Sequence, residues 1–363
     1  MKLTFTGDIL IYESQDKHCR DTNGKYNYKP IFEQVKPLLD NSDYVIGSFE
    51  TTTAGKKARY THEAIRFNTP DEILTDLKWA GFDLLTTANN HCFDRGFDGH
   101  KRTIEKIKES GLEYTGTRLS LDETAYLVKN FDGTRVAFLA YTYGTNSTVN
   151  KTIVPNGKEY LVNLTRPQDL PIQRPLWKRI ARAILYPLLQ KRKGKDKGNG
   201  IIGDCVSHSE IANGRNDLFE KQMINNIRYA KNNADIVIVC LHSGGQFNSK
   251  VEGYTQHLFN IIADAGTDVI ICNHAHTVLP IYRHNDCLIA SALGNFSFAP
   301  GEGYWVDGVM AEYSILLNLE INDKKIIGYN INFCKCVYDN NNLAITVPVN
   351  DEDEIRIIKE KLL

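Results

Sequence analysis

Two histidines, His274 and His276, close the apolar run Val269-Ile270-Ile271-Cys272-Asn273. Residues i and i+2 of an extended chain face the same side, so this spacing predicts both imidazoles in one pocket at the end of a buried strand. Neutral imidazole is the commonest metal-binding side chain, which makes a metal centre the first chemistry to consider. Other apolar runs end in the same way. Residues 2–6 lead to Gly7-Asp8, 43–49 to Glu50, 82–88 to Asn89-Asn90-His91, and 234–241 to His242. Carboxylate, amide oxygen and imidazole together suit a borderline divalent ion such as Mn²⁺, Fe²⁺ or Zn²⁺; Ca²⁺ and Mg²⁺ prefer oxygen alone. Asp8, Glu50, Asn90, His242, His274 and His276 are too many for one four-coordinate ion. Two divalent metal ions about 3.5–4 Å apart, sharing one carboxylate, would use them.

These side chains need a scaffold that delivers strand ends to one place. Helical spacing of apolar groups predicts helices over 30–40, with Pro30 in its first turn, over 70–80, stopped by Gly81, and over 98–109, with Gly111 beyond its end. A capping-box pattern at Ser207 and Glu210 opens another helix through about residue 231, and two more are expected over 254–265 and 351–362. Strands alternate with them at 2–6, 43–49, 82–88, 135–143, 234–241, 269–273 and 288–293, and the pattern turns strand-rich at 309–319 and 325–333. This alternation implies an α/β architecture with at least one largely parallel or mixed sheet. Sites in such sheets form beyond the carboxyl ends of the strands, where all the ligand-type residues fall.

Length and composition set the bounds. The chain has 363 residues, 42% hydrophobic and 24% charged, as in a folded globular protein. Its formal net charge of −1 gives no overall basic field, so nucleic acid is not an expected partner. There is no apolar run of about 18 residues to span a membrane. The first residues enter a strand at once and lack a signal-peptide pattern, so a cytoplasmic location is expected. None of the 8 cysteines forms a Cys-x-x-Cys pair, and Cys240, Cys272 and Cys287 lie in apolar runs, the pattern of reduced core thiols.

Six ordered motifs carry a family resemblance: Gly7-Asp8; Ser48-Phe49-Glu50; Ala88-Asn89-Asn90-His91 with Asp94 and Gly96; His242-Ser243-Gly244-Gly245-Gln246-Phe247; His274-Ala275-His276; and Ser291-Ala292-Leu293-Gly294-Asn295-Phe296. Over roughly 1–145 and 205–300 the chain resembles the CapA-type capsule, or poly-γ-glutamate, synthesis family. That family is similar in fold to the calcineurin-like metallophosphoesterases, so the resemblance implies α/β (α+β) architecture as a four-layer α-β-β-α sandwich. A single domain over 1–363 is expected, with an insertion at about 146–206, where the strand–helix alternation lapses, and a strand-rich C-terminal part at about 300–363. The resemblance further implies that Asp8 and His276 bind a first ion, that Glu50 bridges, and that Asn90, His242 and His274 hold a second. His91, oriented by Asp94, would be the general acid or a hydrogen-bond donor to phosphate, while Arg66 and Asn295 would contact substrate. The chain departs from the pattern where the phosphoesterases have Asp-x-His, because position 10 is Leu10. Gln246 likewise replaces a carboxylate.

Each residue also has a plainer reading. Asp8 could cap a turn, Asn89-Asn90 could be a turn dipeptide, His91 could be structural, and Gly294-Asn295 could be a hairpin turn. Cys92, Cys240 and Cys272 flank ligand positions but read as small core residues. A basic amphipathic segment at 175–197 places Trp177, Ile180 and Ile184 on one face and Lys178, Arg179 and Arg182 on another. It suits peripheral contact with an anionic membrane surface, or packing over the mouth of the site. Two functions remain in view. One is a metal-dependent hydrolase acting on a phosphoester or an anionic polymer in capsule metabolism. The other is a non-catalytic scaffold that binds such a polymer.

Overall fold

A computed structural model describes residues 1–62, 65–169, 217–302, 306 and 308–363. Two mixed sheets face each other. The first runs β13-β12-β11-β1-β2-β3-β4 and the second β5-β6-β7-β8-β10-β9. In chain order the strands are β1 (Lys2–Ile9), β2 (Tyr44–Phe49), β3 (Leu84–Thr86), β4 (Glu113–Thr115), β5 (Tyr126–Phe131), β6 (Thr134–Thr142), β7 (Ile236–His242), β8 (Val269–Asn273), β9 (Val278–His284), β10 (Cys287–Leu293), β11 (Tyr313–Asn322), β12 (Lys325–Tyr338) and β13 (Ala344–Pro348).

Side-chain alternation explains the layers. Leu3 and Phe5 of β1 and Ile46 of β2 meet Phe138 of β6, Ile238 of β7 and Ile271 of β8 in a core between the sheets. The opposite faces are also apolar. Val45, Phe49 and Leu85 pack against Ile31, Phe32, Leu74, Leu77 and Ile107 from the helices on that side. Ala137, Val239 and Ile270 pack against Met223, Ile227, Leu258 and Ile262 from the helices Asp217–Asn233 and Gly253–Asp264. The result is the expected helix–sheet–sheet–helix sandwich. Strands buried on both faces read as continuous apolar runs, which is why the sequence announces them.

Several details differ from the sequence expectation. The single helix over 30–40 is two short ones, Lys29–Phe32 and Lys36–Asp40. Pro37 has no N–H and cannot continue a helix from the preceding turn, but it fits the first turn of a new one. The strand-rich C-terminal part joins the first sheet: β11 pairs antiparallel with β1, Leu3 opposite Leu319. The described portion of the segment after residue 145 folds onto the sandwich, where Val154, Leu161, Val162 and Leu164 pack with Cys92 and Phe93. The basic segment 175–197 and the capping box at Ser207 lie outside the described residues.

Candidate metal centre

The strand ends converge through one close approach. Gly7 sits so near Gly294 that a Cβ on it would lie 2.1 Å from the Gly294 carbonyl oxygen, and Gly294 has φ +81°. Only glycine meets both demands. Asp8 N then donates to Gly294 O at 3.0 Å, and Asp8 pairs with Asn295. The chain leaving β10 of the second sheet thus crosses to β1 of the first. Asp8 and Glu50 from one sheet come to face His242, His274 and His276 from the other.

His274 and His276 reach the pocket by a different route from the one their spacing predicts. β8 ends at Asn273, and the two histidines follow in a turn with φ of 96° and 55°. Both lie in the left-handed region that non-glycine residues seldom adopt, and such backbone persists only where its surroundings hold it. Here His274 N donates to Asp8 Oδ2 at 3.0 Å, and Asn273 Nδ2 donates to Thr6 O at 3.3 Å.

Two triads of ligand atoms result, Glu50–His242–His274 and Asp8–Glu50–His276, all buried and sharing Glu50. In the first, His242 Nε2 lies 2.7 Å from Asn90 Oδ1, 3.1 Å from His274 Nδ1 and 3.3 Å from Glu50 Oε1. Ligands on a tetrahedral ion with bonds near 2.1 Å sit about 3.4 Å apart, so these three separations from His242 Nε2 approach the spacing within a coordination shell. In the second triad, Glu50 Oε1 is 3.9 Å from His276 Nε2. Asn295 fixes that ring: its Nδ2 donates to the carbonyls of His276 and Ala311, both at 2.9 Å, and its Oδ1 lies 2.8 Å from His276 Nδ1. An amide oxygen facing Nδ1 selects the tautomer that leaves Nε2 free to ligate. Asn295 is fully buried, with its amide hydrogens and its oxygen engaged by the protein. The polar atoms by which Asn295 was expected to contact substrate are thus engaged by His276 and Ala311.

The electrostatics fit a cation. Both oxygens of Glu50 are buried and have no hydrogen-bond partner. A bare carboxylate is expensive to bury unless a positive charge meets it. Burial raises the pKa of Asp8, and the neighbouring charge of Glu50 adds to that. Burial acts the same way on Glu50, but the His276 and His242 imidazoles outweigh it and hold Glu50 ionised. Burial, and then the neighbouring His242, push His274 well below its ordinary value, so it is neutral as a ligand must be. The cysteines are not competitors: burial pushes the Cys92 and Cys240 thiols up to about 12.

His91 stands beside the triads. Its Nδ1 lies 2.8 Å from Asp94 Oδ2, and its Nε2 is 3.8 Å from Glu50 Oε1. Burial opposes protonation of the ring, but Asp94 outweighs it and the pKa is raised. Asp94 also accepts from Phe67 N at 2.6 Å and from Asn150 Nδ2. Arg66 Nη2 donates to Asp94 O at 3.3 Å, while its Nε is buried without a partner. Two contributors escaped the sequence reading. Ser48 Oγ donates to Asp8 Oδ1 at 2.7 Å, and Asn150 comes from the stretch where strand–helix alternation lapses. Ser48 could have been found from its place beside Glu50 at a strand end; Asn150 had no local signal.

Leu10 occupies an apolar wall with Tyr12, Phe67, Phe247 and Phe298. No imidazole from elsewhere among the described residues takes the place of the missing histidine.

The model of the family described as bacterial capsule synthesis protein PGA_cap matches residues 2–300. The chain belongs to this family. It is 27% identical over 319 residues to the capsule biosynthesis protein CapA of Bacillus anthracis, covering 87% of this chain and 64% of the relative. It is 24% identical over 321 residues to the PGA biosynthesis protein CapA of Bacillus subtilis strain 168, covering 88% of this chain and 68% of the relative. The chain thus spans about two thirds of the length of these relatives. A solved structure of a hypothetical protein from Thermus thermophilus is similar at 13% identity and a TM-score of 0.45, covering 92% of this chain and 99% of that one. No helix among the described residues is long and apolar enough to cross a membrane.

Proposed function

We propose that this protein is a metal-dependent, phosphoesterase-like hydrolase of capsule or poly-γ-glutamate synthesis, acting on a phosphoester or an anionic polymer. The observation that carries the reading is Glu50, a fully buried carboxylate with both oxygens unpartnered, standing between two sets of ligand atoms. The capsule context comes from the family and from the names of the Bacillus relatives.

Asp8, Glu50 and His276 would hold one divalent ion, and Glu50, Asn90, His242 and His274 the other. Such ions supply Lewis-acid polarisation of a phosphoryl or carbonyl oxygen and a nucleophile at neutral pH. The chain's own residues do the rest. Asp94 holds the His91 ring by Nδ1, which leaves Nε2 to give a proton to a leaving oxygen. Arg66 offers a guanidinium for an anionic group of the substrate. Ser48, Asn295 and the His274 amide fix the carboxylate and the imidazole in place, so little reorganisation accompanies the reaction.

The test is elemental analysis of purified protein, followed by turnover assays with manganese, iron or zinc on aryl and alkyl phosphoesters and γ-glutamyl amides. Stoichiometric metal with turnover that chelator abolishes is expected. Tight metal binding without turnover on any of these substrates would favour the second reading, a polymer-binding scaffold, for which Leu10 in place of a ligand is the specific observation.

A further inference from the structure

Away from the buried cluster, a cleft of about 320 Å³ opens where the edge strands of the two sheets, β4 and β5, come together. Its size lies at the lower end of the range of small-molecule sites, about 300–1,000 Å³, and suits a compact metabolite better than a polymer.

Arg118 lies in its wall, half buried. Its Nε donates to Tyr160 O at 2.7 Å and its Nη1 to Glu123 O at 3.0 Å. Two carbonyls fix the orientation of the fork without neutralising its charge. Among the described residues, no carboxylate lies within ion-pair distance of Arg118. The other cation of the cleft is better matched: Lys108 Nζ is 3.8 Å from Glu123 Oε1 and 5.3 Å from the centre of the Tyr114 ring. Burial pulls the Arg118 pKa down, with Tyr141 and Glu123 only partly opposing it, which is the behaviour of an under-compensated charge.

The floor is equally fixed. Asn163 is buried, and its Nδ2 donates to Ala125 O at 2.9 Å and Ala140 O at 3.1 Å. Its Oδ1 receives no hydrogen from the described residues, and Asn163 lines the cleft. A preset guanidinium without a counter-ion and a preset amide oxygen without a donor ask for one kind of guest.

We propose that this cleft binds a small carboxylate that carries hydrogen-bond donors on neighbouring carbons, its carboxylate on Arg118 and a hydroxyl or ammonium hydrogen on Asn163 Oδ1. A free amino acid and a hexuronic acid share this chemistry. The site is separate from the metal centre and does not depend on its activity.

The experiment is calorimetric titration of the full chain, stripped of metal with EDTA and then dialysed free of the chelator, so that neither a metal-bound site nor EDTA competes for carboxylate. The probes are L-glutamate, D-glucuronate and the methyl ester of each. One saturable site per chain is expected for at least one of the two acids, and binding by that acid's ester should be at least tenfold weaker. Glutamate alone would assign an amino acid, and glucuronate alone a sugar acid. Arg118→Gln should weaken binding tenfold or more. Because Arg118 also ties two loops, Thr124→Asp serves as a second variant. It adds a negative charge at an exposed position of the cleft and should weaken binding without lowering Tm. No saturation by either acid, or unchanged affinity in Thr124→Asp and in a folded Arg118→Gln, would overturn the proposal.

Discussion

Replacing Glu50 with glutamine keeps the shape of the side chain and removes its charge. Without metal, burial opposes the Glu50 charge but the His276 and His242 imidazoles outweigh it and hold the carboxylate ionised, so Glu50→Gln forfeits that stabilisation and should lower Tm in EDTA. With metal the difference should widen. A ligand at 100 times its Kd stabilises by about 2.7 kcal/mol. For 363 residues, an unfolding entropy of about 2.1 cal/mol/K per residue gives about 0.76 kcal/mol/K, so wild type should gain about 3.5 °C. Even outer partners of metal ligands are worth up to about 100-fold in affinity, and Glu50 belongs to both triads. A 100-fold loss would leave about 0.4 kcal/mol, or about 0.5 °C, at the same metal concentration. Thermal unfolding with and without manganese or zinc, alongside elemental analysis, reads both quantities. Equal metal-induced shifts and equal metal content in wild type and Glu50→Gln would refute the reasoning.

Three further outcomes are expected. Asn295→Ala frees the His276 ring and strands two carbonyls, so it should cost about 10–100-fold in affinity for the ion held by Asp8, Glu50 and His276, with the other ion unaffected; metal titration checks this, and equal loss of both ions would contradict the positioning role. His91→Ala should keep both ions bound and lose about 10²–10⁴ in turnover, more on an alkyl than on an aryl phosphate, because a good leaving group needs little protonation; loss of metal would make His91 a ligand instead. Burial pushes Asp16 up to about 7, only partly opposed by the Tyr28 hydroxyl, whereas the unfolded chain titrates near about 3.9. The folded state then binds more protons between about pH 4 and 7, so this residue's contribution to stability falls as pH rises through that window. Asp16→Asn should raise Tm more at pH 8 than at pH 4; a pH-independent difference would show that Asp16 is not the group responsible.

The sandwich was legible because its central strands are buried on both faces. β2 and β7 are apolar along most of their length, and turn residues end them. What escaped had weak or mixed signals. β9 is buried only at its first two residues, β5 is mostly half-exposed, and β4 is only 3 residues long. Their place is set by neighbouring strands and not by their own pattern, so propensity had little to say. Pro37 was visible, but the apolar spacing around it outweighed it in the reading over 30–40.

The site was legible residue by residue but not bond by bond. Asp8, Glu50, Asn90, His242, His274 and His276 all reach one pocket. Strand periodicity was the wrong account of His274 and His276, because the chain has left β8 when it places them. What brings them in is a hydrogen bond from the His274 amide to Asp8, a contact 266 residues away in sequence. No local pattern encodes such a contact. The same limit hid the contacts of Asn295 with His276 and Ala311, since the motif around it shows only that it follows a strand. It also hid Asn150, whose use depends on a segment folding back over Asp94.

The two triads are unequal, and this asymmetry follows from the packing of one residue. Around His242 Nε2, three other ligand-type atoms lie within 3.3 Å. Around His276, only Asp8 and Glu50 contribute among the described residues, and the position that would add an imidazole is Leu10, buried among aromatic side chains. Asp8 is also the more heavily committed carboxylate, because it accepts from Ser48 and from the His274 amide. An ion entering an empty protein therefore meets its best donor set at Asn90, His242, His274 and Glu50. Once that ion neutralises Glu50, a second would be drawn chiefly by Asp8. Loading should thus be sequential, with the Asp8–His276 position weaker and more open to solvent or substrate. An open position is what a catalytic ion needs and what a structural ion lacks. The departure at Leu10 is consequently as compatible with catalysis as with its loss, and metal stoichiometry measured during turnover separates the two.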